Sequence, residues 1–410
     1  MEYKELAMLF HMDTSNERYS ANEAEYEHRK AMDSTFHIQV FADSDELFIA
    51  MPREMPVLME KVLRAERKSS SMMRSIPPIG QAALIRGLVL DEVVSTNAIE
   101  NIHSTRQQIE KALETNRDDD LNFRRFKELA LLYTGLANND TLEIPQEPKD
   151  IRAIYDVLME GELSEKEKPD GKLFRKEGVD INTGNAKVIH QGVTPESKII
   201  EGLDSMLDLV KRTDIPELIS AIASHYLFEY IHPFYEGNGR TGRYLLALFL
   251  SEVLSTPTVL SLSRAISERK NVYYSAFSSV EDPLNHGELT HFVYSMLELV
   301  RIAQSTTIER LQKSINSFKT VKERCTDFFA QHNLSNQEQD LILVLAQYDL
   351  FGMVGSLRWD ELAEIINLGK QTTRKHLKAL EEKNMVKIVE RRPLKFALTD
   401  TAEKALGIEV

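Results

Sequence analysis

The stretch Pro216 to Ile231 is apolar on nearly every face at helical spacing, and a helix that is hydrophobic all round belongs in the interior of other helices. A mainly helical body built around this segment is the expectation. Directly after it comes His232-Pro-Phe-Tyr-Glu-Gly-Asn-Gly-Arg-Thr-Gly-Arg243, and helical periodicity then resumes from Thr241 to Leu254. A polar, glycine-rich loop is therefore held between two core helices.

The 410 residues suggest two or three domains. In the first part, Phe36 to Phe41 and Glu46 to Met51 alternate around Ala-Asp-Ser-Asp and predict a hairpin. From Pro78 the period becomes helical, with helices predicted over Ala83 to Asn101, Ser104 to Asn116, Leu121 to Leu136, Ile151 to Glu160 and Pro195 to Lys211. The prolines between Asn138 and Asp150 mark a loop, and Gly171 to Gly192 reads as a small hairpin laid over helices, suited to act as a substrate flap. Closing helices run to about Thr306, and a charged helical linker follows. From Asn336 the order is helix, helix, a turn at Asn367-Leu-Gly369, helix, strand, a wing with Arg391-Arg-Pro393, and strand, the order of a winged helix-turn-helix. The expected division is an N-terminal region over 1–77, a helical body over 78–306, a linker over 307–335 and the winged unit over 336–410.

A net charge of −14 argues against general attraction to polyanions, so nucleic-acid contact would need a local patch. The single cysteine, Cys325, cannot form an internal disulfide or a cysteine-built zinc site, which fits a reducing compartment. The N-terminus lacks a basic region followed by an apolar one, and the densest apolar run, Tyr244 to Leu250, is short of the roughly 18–20 residues that span a bilayer. A cytoplasmic protein with no membrane partner is expected.

The loop carries the chemistry. Gly237, Asn238 and Gly239 let backbone N–H groups converge, and the next helix adds its positive end, so phosphate is favoured there. Arg240 and Arg243 are three apart and share a helix face, where their forks suit the oxygens of more than one phosphate. Glu236 beside a polyphosphate is placed to share Mg²⁺ with it. The His232 imidazole titrates near neutrality and can accept a proton from an attacking hydroxyl.

This segment resembles the signature of the Fic family, His-x-Phe-x-acid-Gly-Asn-Gly-Arg-x-x-Arg, with every defining position filled. The resemblance, which extends over roughly Ala83 to Ile302 with Arg175 and the Tyr273-Tyr274 pair, implies a Fic-type helical core with a hairpin flap. It implies that ATP is the substrate, that His232 deprotonates a hydroxyl on a target protein and that Phe234 anchors the loop. Glu236 would hold Mg²⁺, the amides of Gly237 to Gly239 would cradle phosphates, and Arg240 and Arg243 would clamp them. Glycine at 239, where Doc-like phosphotransferases carry lysine, favours transfer of AMP to Tyr, Ser or Thr, on another protein or on the chain itself. Upstream, Ser95-Thr-Asn-Ala-Ile-Glu-Asn101 resembles the family's inhibitory motif through Thr96, Glu100 and Asn101. A Glu100 carboxylate on Arg243 would stand where the γ phosphate belongs. Relatives often pair, so a homodimer is a further expectation.

Plainer readings stand beside these. Glu100 can be a solvated helix-face glutamate, Arg240 and Arg243 can be structural ion pairs, and Tyr235 a gap-filling aromatic; His225 reads as a bonded core histidine and Trp359 as core packing. In the winged unit, 370–395 holds nine basic and three acidic residues. Gln371, Thr372, Arg374 and Lys375 on the recognition helix, with Arg391 and Arg392 in the wing, suit DNA, although such units also bind proteins. The alternatives to a self-restrained adenylyltransferase are a DNA-binding regulator whose Fic domain senses nucleotide, and a Fic enzyme performing phosphoryl or uridylyl transfer or AMP removal.

Overall fold

The computed structural model describes residues 2–38, 46–114, 121–138, 144–183, 187–352 and 355–408. At its centre lies the helix Glu217–Ile231, in which every residue from Leu218 to Phe228 is buried. Its apolar composition has this cause: it packs against Glu196–Val210 on one flank and Asn238–Leu250 on the other. The Asn238–Leu250 helix is buried almost throughout, Arg240 and Arg243 included. A buried helix with two arginines at its start requires anionic or carbonyl partners for them.

The chain divides into two compact units, Met1–Glu66 with Leu90–Gln304, and Arg67–Val89 with Ser305–Val410. In the first, the helices Arg106–Glu114, Leu121–Asn138 and Pro148–Leu158 follow the predicted order. The Pro148–Leu158 helix starts earlier than the apolar period suggests, because Pro148 takes the first helical position and Glu147 and Asp150 form a reciprocal capping box. The predicted flap is an antiparallel pair, Asp180–Thr183 with Lys187–Gln191. The N-terminal hairpin pairs Phe36–Ile38 with Leu47–Ile49, and its connection lies outside the described residues. Helices Leu6–Met12 and Arg18–Lys30 precede it and Glu54–Ser75 follows it. No helix among the described residues is long and apolar enough to cross a membrane.

The helix Thr290–Gln331 runs for 42 residues without a break, joining what the sequence suggested were closing helices and a linker. In the second unit, Asn336–Gln347, Trp359–Ile365 and Lys370–Glu382 are followed by the hairpin Val386–Arg391 and Leu394–Leu398. The two-residue strand Leu357–Arg358 pairs with the outer side of Leu394–Leu398, giving three antiparallel strands. The turn before Lys370–Glu382 passes through Asn367 at φ 50°, a left-handed conformation that asparagine tolerates better than most residues. Trp359 is half-buried, not a core residue; the Arg374 guanidinium lies over its ring at 5.2 Å.

Candidate functional site

The Glu217–Ile231 helix ends at His232, whose backbone turns left-handed (φ 52°, ψ 62°) and breaks the helical path. Its ring Nδ1 lies 3.2 Å from the Glu229 carbonyl oxygen. A carbonyl only accepts, so Nδ1 carries the proton and the basic lone pair of the neutral ring is on Nε2. The loop is then fastened from inside. Phe234 is fully buried and stacks on Tyr155 at 3.5 Å, and the Asn238 side chain accepts from Phe234 N–H (3.0 Å) and donates to Phe234 C=O (2.8 Å). The Asn238 side chain thus closes the loop from within it, and only its backbone remains to meet a ligand. Tyr235 does more than fill a gap: its hydroxyl donates to Asp170 and accepts from Glu177 N–H.

Gly237 caps the next helix in a left-handed conformation (φ 83°) without a side-chain cap, which leaves the first-turn N–H groups of Asn238–Leu250 suited to an anion. A Cβ at Gly237 would lie 2.5 Å from Met159 Sδ, and one at Gly239 would strike the Glu100 carboxylate. A side chain at 239 would have to displace the Glu100 carboxylate from its present place.

Both arginines of this helix carry carboxylates. Arg243 donates from Nε to Thr96 Oγ1 (2.8 Å), and from Nη2 to Thr96 C=O (3.1 Å) and Glu100 Oε1 (2.8 Å). The predicted upstream motif and the loop are thus brought together across 143 residues. Burial opposes ionisation of Glu100, but the Arg243 guanidinium outweighs it and holds the carboxyl below its ordinary value. Asn101 follows at φ 58°, just past the end of Pro78–Ile99, so an asparagine there suits the left-handed exit. Arg240 donates from Nη1 to both oxygens of Glu162, at 2.9 and 2.7 Å. Sequence reasoning missed Glu162, since nothing in the charged run after Gly161 sets it apart from Glu165 or Glu167.

Beside these residues opens a cavity of about 310 Å³, lined by Glu100, Ile102, Met159, Glu162, Leu163, Glu167, Glu236, Gly237 and Arg240. Burial, and then the charges of Glu167 and Glu100, push the Glu236 carboxyl up. Such crowding is relieved by a cation, and Mg²⁺ is ordinarily held by one or two carboxylates together with substrate phosphates. Among the described residues no group of three or more acidic, His or Cys side chains could hold a metal by itself. Glu236 therefore fits a metal shared with a nucleotide.

His225 is a bonded core histidine, with Nδ1 3.1 Å from Gly242 C=O and Nε2 2.8 Å from Tyr273 O–H; burial, helped by Arg243, pulls its pKa down to about 3. In the second unit Gln371, Thr372, Arg374, Lys375, Arg391 and Arg392 are all exposed.

Residues 145–250 match the family profile described as Fic/DOC. Among solved structures, a Fic family protein from Desulfovibrio desulfuricans shares the fold at TM-score 0.54 and 19% identity, covering 88% of this chain and 99% of that one. A Fic domain-containing signaling protein from Bacteroides thetaiotaomicron (TM-score 0.46, 16% identity) covers 62% of this chain and 97% of its own. Fic-1 from C. elegans (TM-score 0.45, 19% identity) covers 63% of this chain and 74% of its own.

Proposed function

This chain carries a Fic/DOC family domain over residues 145–250, and from that premise we propose that it is a self-restrained protein adenylyltransferase. Fic-domain proteins generally transfer nucleotide-derived groups such as AMP onto proteins. The observation that carries the finer reading is the Glu100–Arg243 contact at 2.8 Å: an anion from a distant helix occupies an arginine of the phosphate loop. A carboxylate there imitates a phosphate and keeps one out.

In the proposed reaction, a target hydroxyl gives its proton to His232 Nε2 as its oxygen bonds to the α phosphorus of ATP. The bond from that phosphorus to the bridging oxygen breaks, and pyrophosphate leaves with its electron pair. The Glu229 carbonyl fixes the tautomer that makes Nε2 the base, and Arg240 and Arg243 hold the outer phosphates. Mg²⁺ held by Glu236 would supply charge neutralisation when bound.

Incubation with α-labelled ATP and Mg²⁺ tests the reading. Label should appear on protein and should be lost in His232→Ala, since a general base contributes roughly 10²–10⁴-fold. Label from γ-labelled ATP instead would mean phosphoryl transfer. For the second unit, the exposure of Arg374, Lys375, Arg391 and Arg392 supports DNA as its partner. Replacing all four with alanine should abolish salt-sensitive DNA binding in a filter assay and leave labelling unchanged. A parent with no DNA affinity at low salt would point to a protein partner.

A further inference from the structure

Arg175 is fully buried, yet among the described residues no carboxylate pairs with it. Its guanidinium instead serves backbone oxygens: Nε donates to His232 C=O (2.7 Å), Nη1 to Glu177 C=O (2.7 Å), and Nη2 to Val193 C=O (2.9 Å) and Ile231 C=O (3.1 Å). Its own N–H donates to Pro233 C=O at 3.2 Å. Three consecutive carbonyls, those of residues 231 to 233, are thus tied to one residue, the first two by its guanidinium and the third by its backbone N–H. Burying a charge without a counter-ion is costly, and burial pulls the Arg175 pKa down to about 10. Something must repay that cost.

The place it serves is the strained one. His232 at φ 52° lies in the left-handed region, a conformation that costs a non-glycine residue roughly 1–2 kcal/mol and persists where neighbours over-determine it. The carbonyls of Ile231 and His232 are also the orphan acceptors of a helix C-terminus, where a cation is favoured. The same guanidinium reaches Glu177 and Val193, which flank the hairpin, and Val193 N–H donates back to Ile231 C=O at 3.1 Å. Only a planar fork of five donors fits this fan of acceptors; a lysine keeps the charge and loses the geometry.

We infer that Arg175 is a positioning residue for His232, locking the left-handed exit of the buried helix so that Nδ1–H stays on the Glu229 carbonyl and Nε2 faces the reacting hydroxyl, while registering the hairpin to the same backbone. The part concerning the hydroxyl rests on the proposed role of His232; the part concerning ring geometry does not.

The test uses the full chain carrying Arg175→Lys. Nitrogen-edited NMR of the histidine side chains reads the His232 tautomer without any turnover, and His225, whose ring is fixed by Gly242 and Tyr273, serves as the internal control. The Nδ1–H form of His232 should give way to a tautomer mixture while the His225 signal is unchanged. In the labelling assay, kcat should fall on the order of 10²-fold, the usual cost of a misplaced reacting group, with KM for ATP within about twofold. If the lysine variant does not fold, Arg175→Gln, which keeps two planar donors and no charge, is measured in the same way. An unchanged His232 tautomer in a folded variant, or a kcat within twofold of the parent, overturns the inference. A parent inactive toward every label leaves the tautomer measurement to decide Arg175 and counts only against the adenylyltransferase reading.

Discussion

The Arg240 and Arg243 ion pairs sit one helical turn apart and look alike in outline, but they differ in where their carboxylates stand. In the Arg243–Glu100 pair the arginine side chain is 2% exposed and the glutamate 35%; in the Arg240–Glu162 pair the values are 6% and 5%. Glu100 projects from a helix that has just ended and has water to move into. Glu162 follows a tight turn at Gly161 (φ 76°) and would leave its partner as an uncompensated buried charge. The two contacts also use different edges. Thr96 and Glu100 fill the Nε and Nη2 side of Arg243, whereas Glu162 takes Nη1 of Arg240 and leaves its buried Nε without an acceptor. On the proposed reading, Glu100 is a releasable occupant of the γ-phosphate position and Glu162 is a fixed brace that presents Arg240.

The comparison breaks most visibly at the buried pair. Glu162→Ala strands Arg240, and breaking a buried ion pair typically costs about 3–5 kcal/mol, so chemical denaturation should show a loss of that order. Nucleotide binding, followed by calorimetry, should weaken with it. Tighter binding in Glu162→Ala would make Glu162 a second occupant and erase the distinction. Glu100→Gly should act with the opposite sign. Freeing Arg243 lets the triphosphate take the pose in which its α phosphorus meets the hydroxyl, and labelling should rise on the order of 10²-fold. Adding His232→Ala to Glu100→Gly should silence it. Equal labelling by Glu100→Gly and the parent, both folded, would reduce Glu100 to a helix-face residue.

Much of this arrangement was legible from residue types and spacing. The buried helix, the loop and the restart at Asn238 follow from a change of period and a cluster of glycines, and the three helices and hairpin of the second unit follow from turn chemistry at Asn367 and Pro393. Glu100 was legible only through the resemblance of Ser95 to Asn101 to an inhibitory motif; the left-handed exit at Asn101 was not read, since helical periodicity was carried through that residue. Glu162 and Arg175 were not legible as partners. Glu162 is one of several glutamates in a charged run, and only tertiary packing selects it. Arg175 binds backbone carbonyls, which every residue has, so no partner type marks it in the sequence. The helices Leu6–Met12, Arg18–Lys30 and Glu54–Ser75 also went unread, since the stretches around the early hairpin are too charged to stand out by apolar period alone.

The smallest effect, and the sharpest on the nature of the Glu100 contact, is its response to pH. Burial raises the Glu100 pKa, and Arg243, followed by Arg240 and His232, lowers it by more, so the net displacement is downward from the ordinary value. A depressed carboxylate keeps its ion pair at every pH above its folded-state pKa and loses it only as pH falls through that value, here beneath the usual carboxylate range near 4.3. The restraint should therefore persist throughout the range in which labelling can be measured. The informative quantity is the ratio of Glu100→Gly labelling to parent labelling between about pH 8 and pH 5.5, because pH effects on features common to both proteins divide out. That ratio should stay flat to within about twofold. Arg240 and His232 act on Glu100 in the same direction as Arg243. The carboxylates of Glu236 and Glu229 act in the other direction, but burial raises both, Glu229 to about 8, so their repulsion only fades as pH falls, and Arg243 is the group in contact with Glu100. A ratio collapsing toward one by pH 5.5 would mean that the carboxyl protonates in that range, and the Arg243 contact would then be too weak to be what restrains the loop.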